Sequence, residues 1–576
     1  DTMLLSHLID PSRGIHGEEK LAMQVGLAGY GQELHQWLAD NKCENWTLAP
    51  LDLVAYKSMA DVLVSLRYYE LKISVVEKRG QDDFYFKHIV PGIKPYMAME
   101  RNGMLVDSDY LDALEKRYKE RCKDCSKKMR ALAGEAINTL PKDFNFNSND
   151  QIGKLIQQWL EKDDAAWWEQ SKAGVKFRKA GRDAIPEDAV ILTKSGRLSA
   201  SKLSMDALLA AKNLDKNCRA FINLLLQYKG DQKRLSTYIT GLRKHICPDG
   251  RVRSTYLLHG TETGRRSSVN PNRQNDPSDT DVKRIYIAAP NSVFVINDYS
   301  NLEVRIAASF SQDANLMKAF ADGKDIHSYV TSKAHNIDYD EIITVLKNAD
   351  KYPKKYKQYF RKRFYCKQSL FTMFFGGGAN KIAAQTGLTE DQAFKLMDVL
   401  LTEFPGLKTM FKRLERFALD NGRAENAYGR WRPLLGIDST DDGMRAEALR
   451  QARNTPIQGT AGDVTLTAAR KLNTWLDKNK LKAGLVQEVH DSLVTESHVS
   501  CLYDVIVNSR RIMEAVQIPN YPGVALKIDQ IVGRYLGSTL KVSEEILELA
   551  RAKPKRLYAM LEEELNHPPS FYEAAI

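Results

Sequence analysis

Asp298-Tyr-Ser-Asn-Leu-Glu303-Val-Arg305 follows directly on the apolar run Ser292-Val-Phe-Val-Ile-Asn297. A short apolar, β-branched run between polar ends predicts a buried strand, and the strand delivers a carboxylate where apolar character stops. Asp298 is therefore held at the end of a rigid element. A second stretch, Leu485-Val-Gln-Glu-Val-His490-Asp491-Ser-Leu-Val494, breaks around His-Asp and predicts a β-hairpin with Asp491 at its tip. Alone, a His-Asp pair is also ordinary turn chemistry. Brought to one sheet edge, the two carboxylates would share hard divalent cations, as two-metal phosphoryl chemistry requires with ions about 3.5–4 Å apart.

Between these stretches lies Arg361-Lys-Arg363-Phe-Tyr-Cys-Lys367-Gln-Ser-Leu-Phe371-Thr-Met-Phe-Phe375-Gly-Gly-Gly378. Arg363, Lys367, Phe371 and Phe375 recur every four residues, so on a helix they form one slowly drifting stripe about 18 Å long, at about 1.5 Å per residue. The stripe is cationic at its start and aromatic at its end. It matches a nucleoside triphosphate laid along a helix, with phosphates on the cations and sugar and base on the rings. A core helix with snorkelling Arg and Lys gives the same local pattern. The glycines then end the helix and leave backbone room.

In this order and combination the three pieces resemble motifs A, B and C of family A DNA polymerases, the group of bacterial polymerase I and phage replicative enzymes. The resemblance runs from about Pro91 to Ser538. It implies an α+β multidomain, right-hand fold: a palm with an antiparallel sheet, helical fingers and thumb, and a truncated RNase H-like exonuclease domain at the N-terminus.

The chain has 576 residues, enough for several cores, and a formal net charge of +11, which favours a polyanionic partner without requiring one. Seven scattered cysteines give no disulfide framework and fit a reducing compartment. Cys122-Lys-Asp-Cys125 has no second ligand pair at zinc spacing and reads as ordinary helix. No run of eighteen apolar residues and no signal-peptide layout occurs, which argues against a membrane protein and for the cytoplasm, that of the host if the source is viral. The chain opens at Asp1 without a methionine, leaving room for upstream sequence.

Matched to the family, residues 1–87 resemble the later part of a 3′-5′ exonuclease domain. Tyr56 and Asp61 stand near its last catalytic motif, one residue too far apart, and the earlier acidic motifs are missing. Residues 88–240 read as thumb, with an unplaced charged insertion at 159–190. Residues 241–325 read as the first part of the palm, 326–429 as fingers, 430–538 as the second part of the palm, and 539–576 as a helical extension beyond the family's core. The resemblance puts Arg265, Gln274 and Asn275 in the minor groove at the primer end, where acceptors are common to every base pair. It puts Arg450, Asn454 and Gln458 on a template-side helix and His490 against DNA. Arg363, Lys367, Phe371, Phe375 and His327 would bind the nucleotide, and Glu303 would stand as the bulky gate against a ribose 2′-hydroxyl.

The implied activity is template-directed addition of dNTPs to a primer 3′-hydroxyl. Asp298, Asp491 and Lys367 would be catalytic, with two Mg²⁺ on the two aspartates and Mn²⁺ as a substitute. Primer-template DNA and dNTPs are the implied partners of a monomer, with 539–576 or 159–190 as a place for a replisome protein. A single-subunit RNA polymerase shares the His490-Asp491-Ser492 triplet, but its site would leave the space of Glu303 open. A non-catalytic DNA-binding derivative would need the basic surfaces and not the paired carboxylates. Two departures stand out. Ser492 replaces the glutamate of most relatives, and Phe375 lacks the tyrosine hydroxyl that holds the gate in many of them. Glu303 is therefore expected to be less firmly oriented unless another donor replaces it.

Overall fold

The computed structural model describes residues 1–136, 140–162, 166–171, 174–179, 192–193, 197–211, 214–277, 280–538 and 540–566. It divides into two compact units: the first is Asp1–Met104, Arg253–Asn275 and the described chain from Ala288 to Asn566, the second Leu105–Val252 with Asp276–Ile287. Residues 88–104, expected with the thumb, thus belong to the first unit.

The second unit is helical, its main elements being Ser108–Ala136, Asn149–Lys162, Lys202–Ala210 and Lys216–Lys233. Their apolar faces meet in a core that includes Cys122, Cys125, Met129, Ile156, Phe221 and Leu225. Burial pushes the Cys122 thiol up to about 11, so this C-x-x-C is packing material, as its spacing suggests. Trp159, placed at the start of the insertion, is instead a core residue, and its indole Nε1 donates to Asp215 Oδ1 at 3.2 Å. Beyond that helix the chain forms an antiparallel hairpin, Ala166–Ser171 with Gly174–Lys179. The remainder of 159–190 lies outside the described residues.

The first unit opens with helices Thr2–Ile9, Glu18–Gln24, Gln32–Asp40 and Leu51–Lys78, packed through Leu5, Leu8, Val64, Tyr68 and Val76. No strand occurs in residues 1–103. The exonuclease reading of this segment therefore stays with the sequence.

The centre of the unit is a four-stranded sheet made of β1 (Ser292–Tyr299), β2 (Ala483–Val489), β3 (Ser492–His498) and β4 (Ile528–Gly533). The order is β2-β3-β1-β4, antiparallel throughout. β1 is central, which is why Val293, Phe294 and Val295 run unbroken and fully buried instead of alternating with polar residues. The 37-residue α4 (Asp442–Lys478) packs on the sheet, α1 (Leu302–Ser311) packs on α4, and α2 (Ile326–His335) packs on α3 (Pro353–Phe374).

The extension after 538 joins this core. Val532 N–H donates to Leu540 O and Val542 N–H to Gln530 O, which gives β4 a partner along its outer edge. Helices α5 (Glu544–Ala552) and α6 (Pro554–Asn566) then bury Ile546, Leu557, Leu561 and Leu565. Among the described residues this extension is part of the folded unit, so its apolar face is not free for another protein.

Candidate active site

β1 ends where the sequence predicts. Asp298 lies opposite Ser492 of β3 and opposite Asp529 of β4. Val489 pairs with Ser492, so His490-Asp491 is a two-residue hairpin loop, with His490 at φ 56°. A left-handed first position is the geometry that matches the twist of paired strands. Tyr299 N–H donates to Asp491 O at 3.4 Å, joining the end of β1 to the hairpin tip. The two aspartates are thereby brought to the same edge of one sheet.

The chain leaves β1 through Asn301, whose φ of 54° turns it into α1. Arg305 fixes this turn, its Nε donating to Ser300 O at 2.8 Å and its Nη1 to Ala525 O at 2.7 Å. Glu303 in the first turn of α1 is 5% exposed. Arg265 Nη2 donates to Glu303 Oε1 at 2.5 Å. The sequence expectation of a loosely held Glu303 is thus corrected, since a guanidinium supplies the donor that Phe375 lacks. Burial, and then the charge of Asp491, push the Glu303 carboxyl up, while Arg265 holds it down. Asp491 is also pushed up by burial, with Arg265 opposing.

Among the described residues no group of three His, Cys, Asp or Glu side chains is arranged to hold a metal. The donors on offer are the carboxylates of Asp298 and Asp491. That set suits Mg²⁺, which keeps several waters and takes one or two protein carboxylates plus substrate phosphates. Asp529, opposite Asp298, adds negative charge, and like charges facing across strands repel unless a cation relieves them.

Two buried clusters that sequence reading missed support this edge. Glu488, two residues before His490, receives Arg266 Nε at 2.9 Å and Nη2 at 2.5 Å, and also the Tyr96 hydroxyl. Arg266 Nη1 reaches Gly462 O of α4 at 2.6 Å. Asp463 receives Arg430 Nη2 at 2.8 Å and Asn426 Nδ2 at 2.7 Å, and His88 Nε2 lies 3.3 Å away. Burial alone would raise the Asp463 carboxyl, but Arg430 and His88 outweigh it and hold it well below the usual range. Nothing in the spacing of these residues pairs them, so no local signal could have found them.

α3 resolves its own ambiguity. Cys366, Leu370, Met373 and Phe374 are the core face, which leaves the predicted row at partial or full exposure. Phe371 and Phe375 stack with centroids 6.4 Å apart, and Lys367 Nζ lies 5.9 Å from the Phe371 centroid. Arg363 is held by Asp325, the N-cap of α2, through Nε to Oδ2 at 2.8 Å and Nη2 to Oδ1 at 3.0 Å. Asp325 was not among the sequence candidates. His327 packs 5.9 Å from the Phe371 ring and is 3% exposed. Burial lowers its imidazole to about 4, with Arg363 and Lys367 adding to the effect against Asp325, so it is neutral at pH 7 and is no cationic phosphate ligand in this state. Gly376, at φ 68°, must be glycine, because a Cβ there would sit 2.9 Å from Arg450 Cα on α4.

The DNA-side candidates fall into two groups. Thr255–Leu257 and Ser267–Val269 form a hairpin whose loop carries Arg265. Ser268 Oγ accepts from the backbone N–H of Arg273 and of Gln274, fixing the chain that carries Gln274 and Asn275. On α4, Arg450 Nε donates to Glu447 Oε2 at 2.9 Å. Asn454 Oδ1 is buried without a partner among the described residues, while Gln458 is partly exposed. His490 is lowered by burial and by Arg265, with Asp491 opposing. Near the N-terminus it is Tyr30, not the exposed Tyr56, that reaches Asp61, donating from its hydroxyl at 2.5 Å. Lys57 also pairs with Asp61, so Tyr56 and Asp61 do not converge.

The profile of DNA polymerase family A matches residues 108–538. The chain belongs to that family. It is 29% identical over 463 residues to DNA polymerase I of Chloroflexus aurantiacus, covering 79% of this chain and 44% of that protein. It is 25% identical to the DNA polymerase of Bacillus phage SP01, covering 95% of this chain and 61% of the phage protein. It spans about half the length of the bacterial relatives it matches. Among solved structures, the POL domain of Pol1 from M. smegmatis, in complex with DNA primer-template and dNTP, superposes with a TM-score of 0.73 at 22% identity. The match covers 93% of this chain and 82% of that one. The fold is accordingly the right-hand fold of family A. No helix among the described residues is long and apolar enough to cross a membrane.

Proposed function

We propose that this chain is a template-directed DNA polymerase that adds dNTPs to a primer 3′-hydroxyl. The observation that carries the reading is the meeting of Asp298 and Asp491 at one sheet edge, tied by Tyr299 N–H to Asp491 O. Those two carboxylates would hold two Mg²⁺, or Mn²⁺ in its place, and the chemistry supplied by the bound ions is a lowered pKa of the 3′-hydroxyl and neutralised phosphate charge. Arg363 and Lys367 on α3 bind the triphosphate, Phe371 and Phe375 receive sugar and base, and Lys367 Nζ gives a proton to the departing pyrophosphate. His327 takes part as a neutral donor. Arg363 has to share its guanidinium between Asp325 and phosphate.

Arg265, Gln274, Asn275, Arg450, Asn454, Gln458 and His490 line the DNA side, with phosphate contacts spread over the basic surface of a +11 chain. The reading implies a monomer in the cytoplasm, that of the host if the source is viral. Primer extension on a DNA template with dNTPs, with NTPs, and with the Asp298→Asn variant tests it. Extension with dNTPs that the variant abolishes supports the reading. Extension with NTPs alone would make the chain an RNA polymerase, and tight DNA binding without extension a non-catalytic derivative.

A further inference from the structure

We infer that Arg265 is the positioning residue of the Glu303 gate, and that this one ion pair sets how strongly the site excludes ribonucleotides. The inference rests on the polymerase reading above and deepens it. Glu303 has three side-chain torsions, and a gate works only if its carboxylate stays where a 2′-hydroxyl would go. Two effects work against that. Burial disfavours its charged form, and Asp491 close by repels it. Arg265 answers both, with a short charge-assisted bond from Nη2 to Oε1 at 2.5 Å, and its side chain is itself only 22% exposed, against 6% for Glu303. Water therefore screens the pair little.

The position of Arg265 is also fixed from behind. Its neighbour Arg266 is locked on Glu488 and on Gly462 O, and Thr261 Oγ1 donates to the Arg265 carbonyl at 2.7 Å. The gate is thus held from the loop that also faces the primer end. A guanidinium carries five N–H donors in a fixed fork, so one edge can hold Glu303 while another meets a base. The same residue then couples a paired primer end to a closed gate.

Single-nucleotide insertion of a dNTP and of the matching rNTP on one primer-template gives the ratio of the two kcat/KM values. Wild type, Arg265→Met, Arg265→Lys, Glu303→Ala and the Arg265→Met/Glu303→Ala double variant are compared, each checked for folding by circular dichroism. Arg265→Met should cut the dNTP preference at least tenfold, and Arg265→Lys, which keeps charge but loses the fork, should fall between it and wild type. In the Glu303→Ala background Arg265→Met should lower the ratio no further, because the two act as one unit. Equal loss on dNTP and rNTP in both Arg265 variants, with the ratio intact, would overturn the inference and leave Arg265 a DNA contact only. A wild-type protein without templated insertion would instead sink the polymerase reading itself.

Discussion

Arg534 Nε pairs with Glu562 Oε2 at 2.6 Å, and the same guanidinium donates through Nη1 to the carbonyls of Ala288, Ala289 and Ser292. α6 is thus wired to the entry of the strand that carries Asp298.

Truncation from Glu544 will therefore destabilise the first unit by removing Ile546, Leu557, Leu561 and Leu565 and uncovering the apolar surface they bury. Leu557→Ala, at a fully buried position, should cost about 2–5 kcal/mol. Urea unfolding followed by tryptophan fluorescence reads the shift, and an unchanged midpoint would show that the helix is not part of the core.

On the proposed reading, Asp298→Asn and Asp491→Asn should each abolish incorporation while primer-template affinity stays within a few-fold, because these carboxylates would hold the cations whereas DNA affinity would be spread over many basic side chains. Extension assays and fluorescence anisotropy on the same preparations test this together. Near wild-type extension by either variant would sink the two-carboxylate assignment.

The chain should not trim mismatched 3′ ends. Asp61 is held by Lys57 and Tyr30, and Glu18 nearby is raised by burial and by the Asp61 charge. A carboxylate so engaged is a structural anchor. Mg²⁺-dependent trimming that persists in Asp298→Asn and vanishes in Asp61→Ala would contradict it.

Stability should fall on mild acidification through His7. Burial, then the charge of Arg430, lowers its imidazole to about 3 although its Nε2 bonds to Thr261 O, and His16 and His259 add to the lowering. An unfolded histidine binds its proton near 6.5, so between about 6.5 and 3 the unfolded chain carries more protons. The contribution is whole above about pH 6.5 and is lost as pH falls, by up to about 1.4 kcal/mol per unit. Urea midpoints at pH 7.5 and 5.0 should differ less in His7→Gln than in wild type.

Phe375→Tyr should change ribonucleotide selectivity little, because Glu303 already has a charged donor in Arg265. Phe371→Tyr adds a hydroxyl to the ring proposed to receive the sugar and should raise insertion of dideoxynucleotides. Insertion rates for deoxy-, dideoxy- and ribonucleotides on one template measure both. A several-fold gain in ribonucleotide exclusion by Phe375→Tyr would show the gate still loose.

Local pattern alone determined where the candidate site sits. An apolar run ending in Asp298, a hairpin broken at His490-Asp491 and a four-residue row on one helix are short-range features, and backbone periodicity carries them into the fold unchanged. The partners of those residues were another matter. Arg265 lies 38 residues from Glu303, Arg363 lies 38 from Asp325, and Arg266 lies 222 from Glu488. The tail after 538 could be seen to be helical and charged, but not which face it buried. Ion pairs and core contacts form between whichever side chains packing brings within a few ångströms, and sequence separation leaves no mark on that distance. The tertiary structure alone decided that Glu303 is held by an arginine, that burial lowers the His327 imidazole and that α5 and α6 belong to the core.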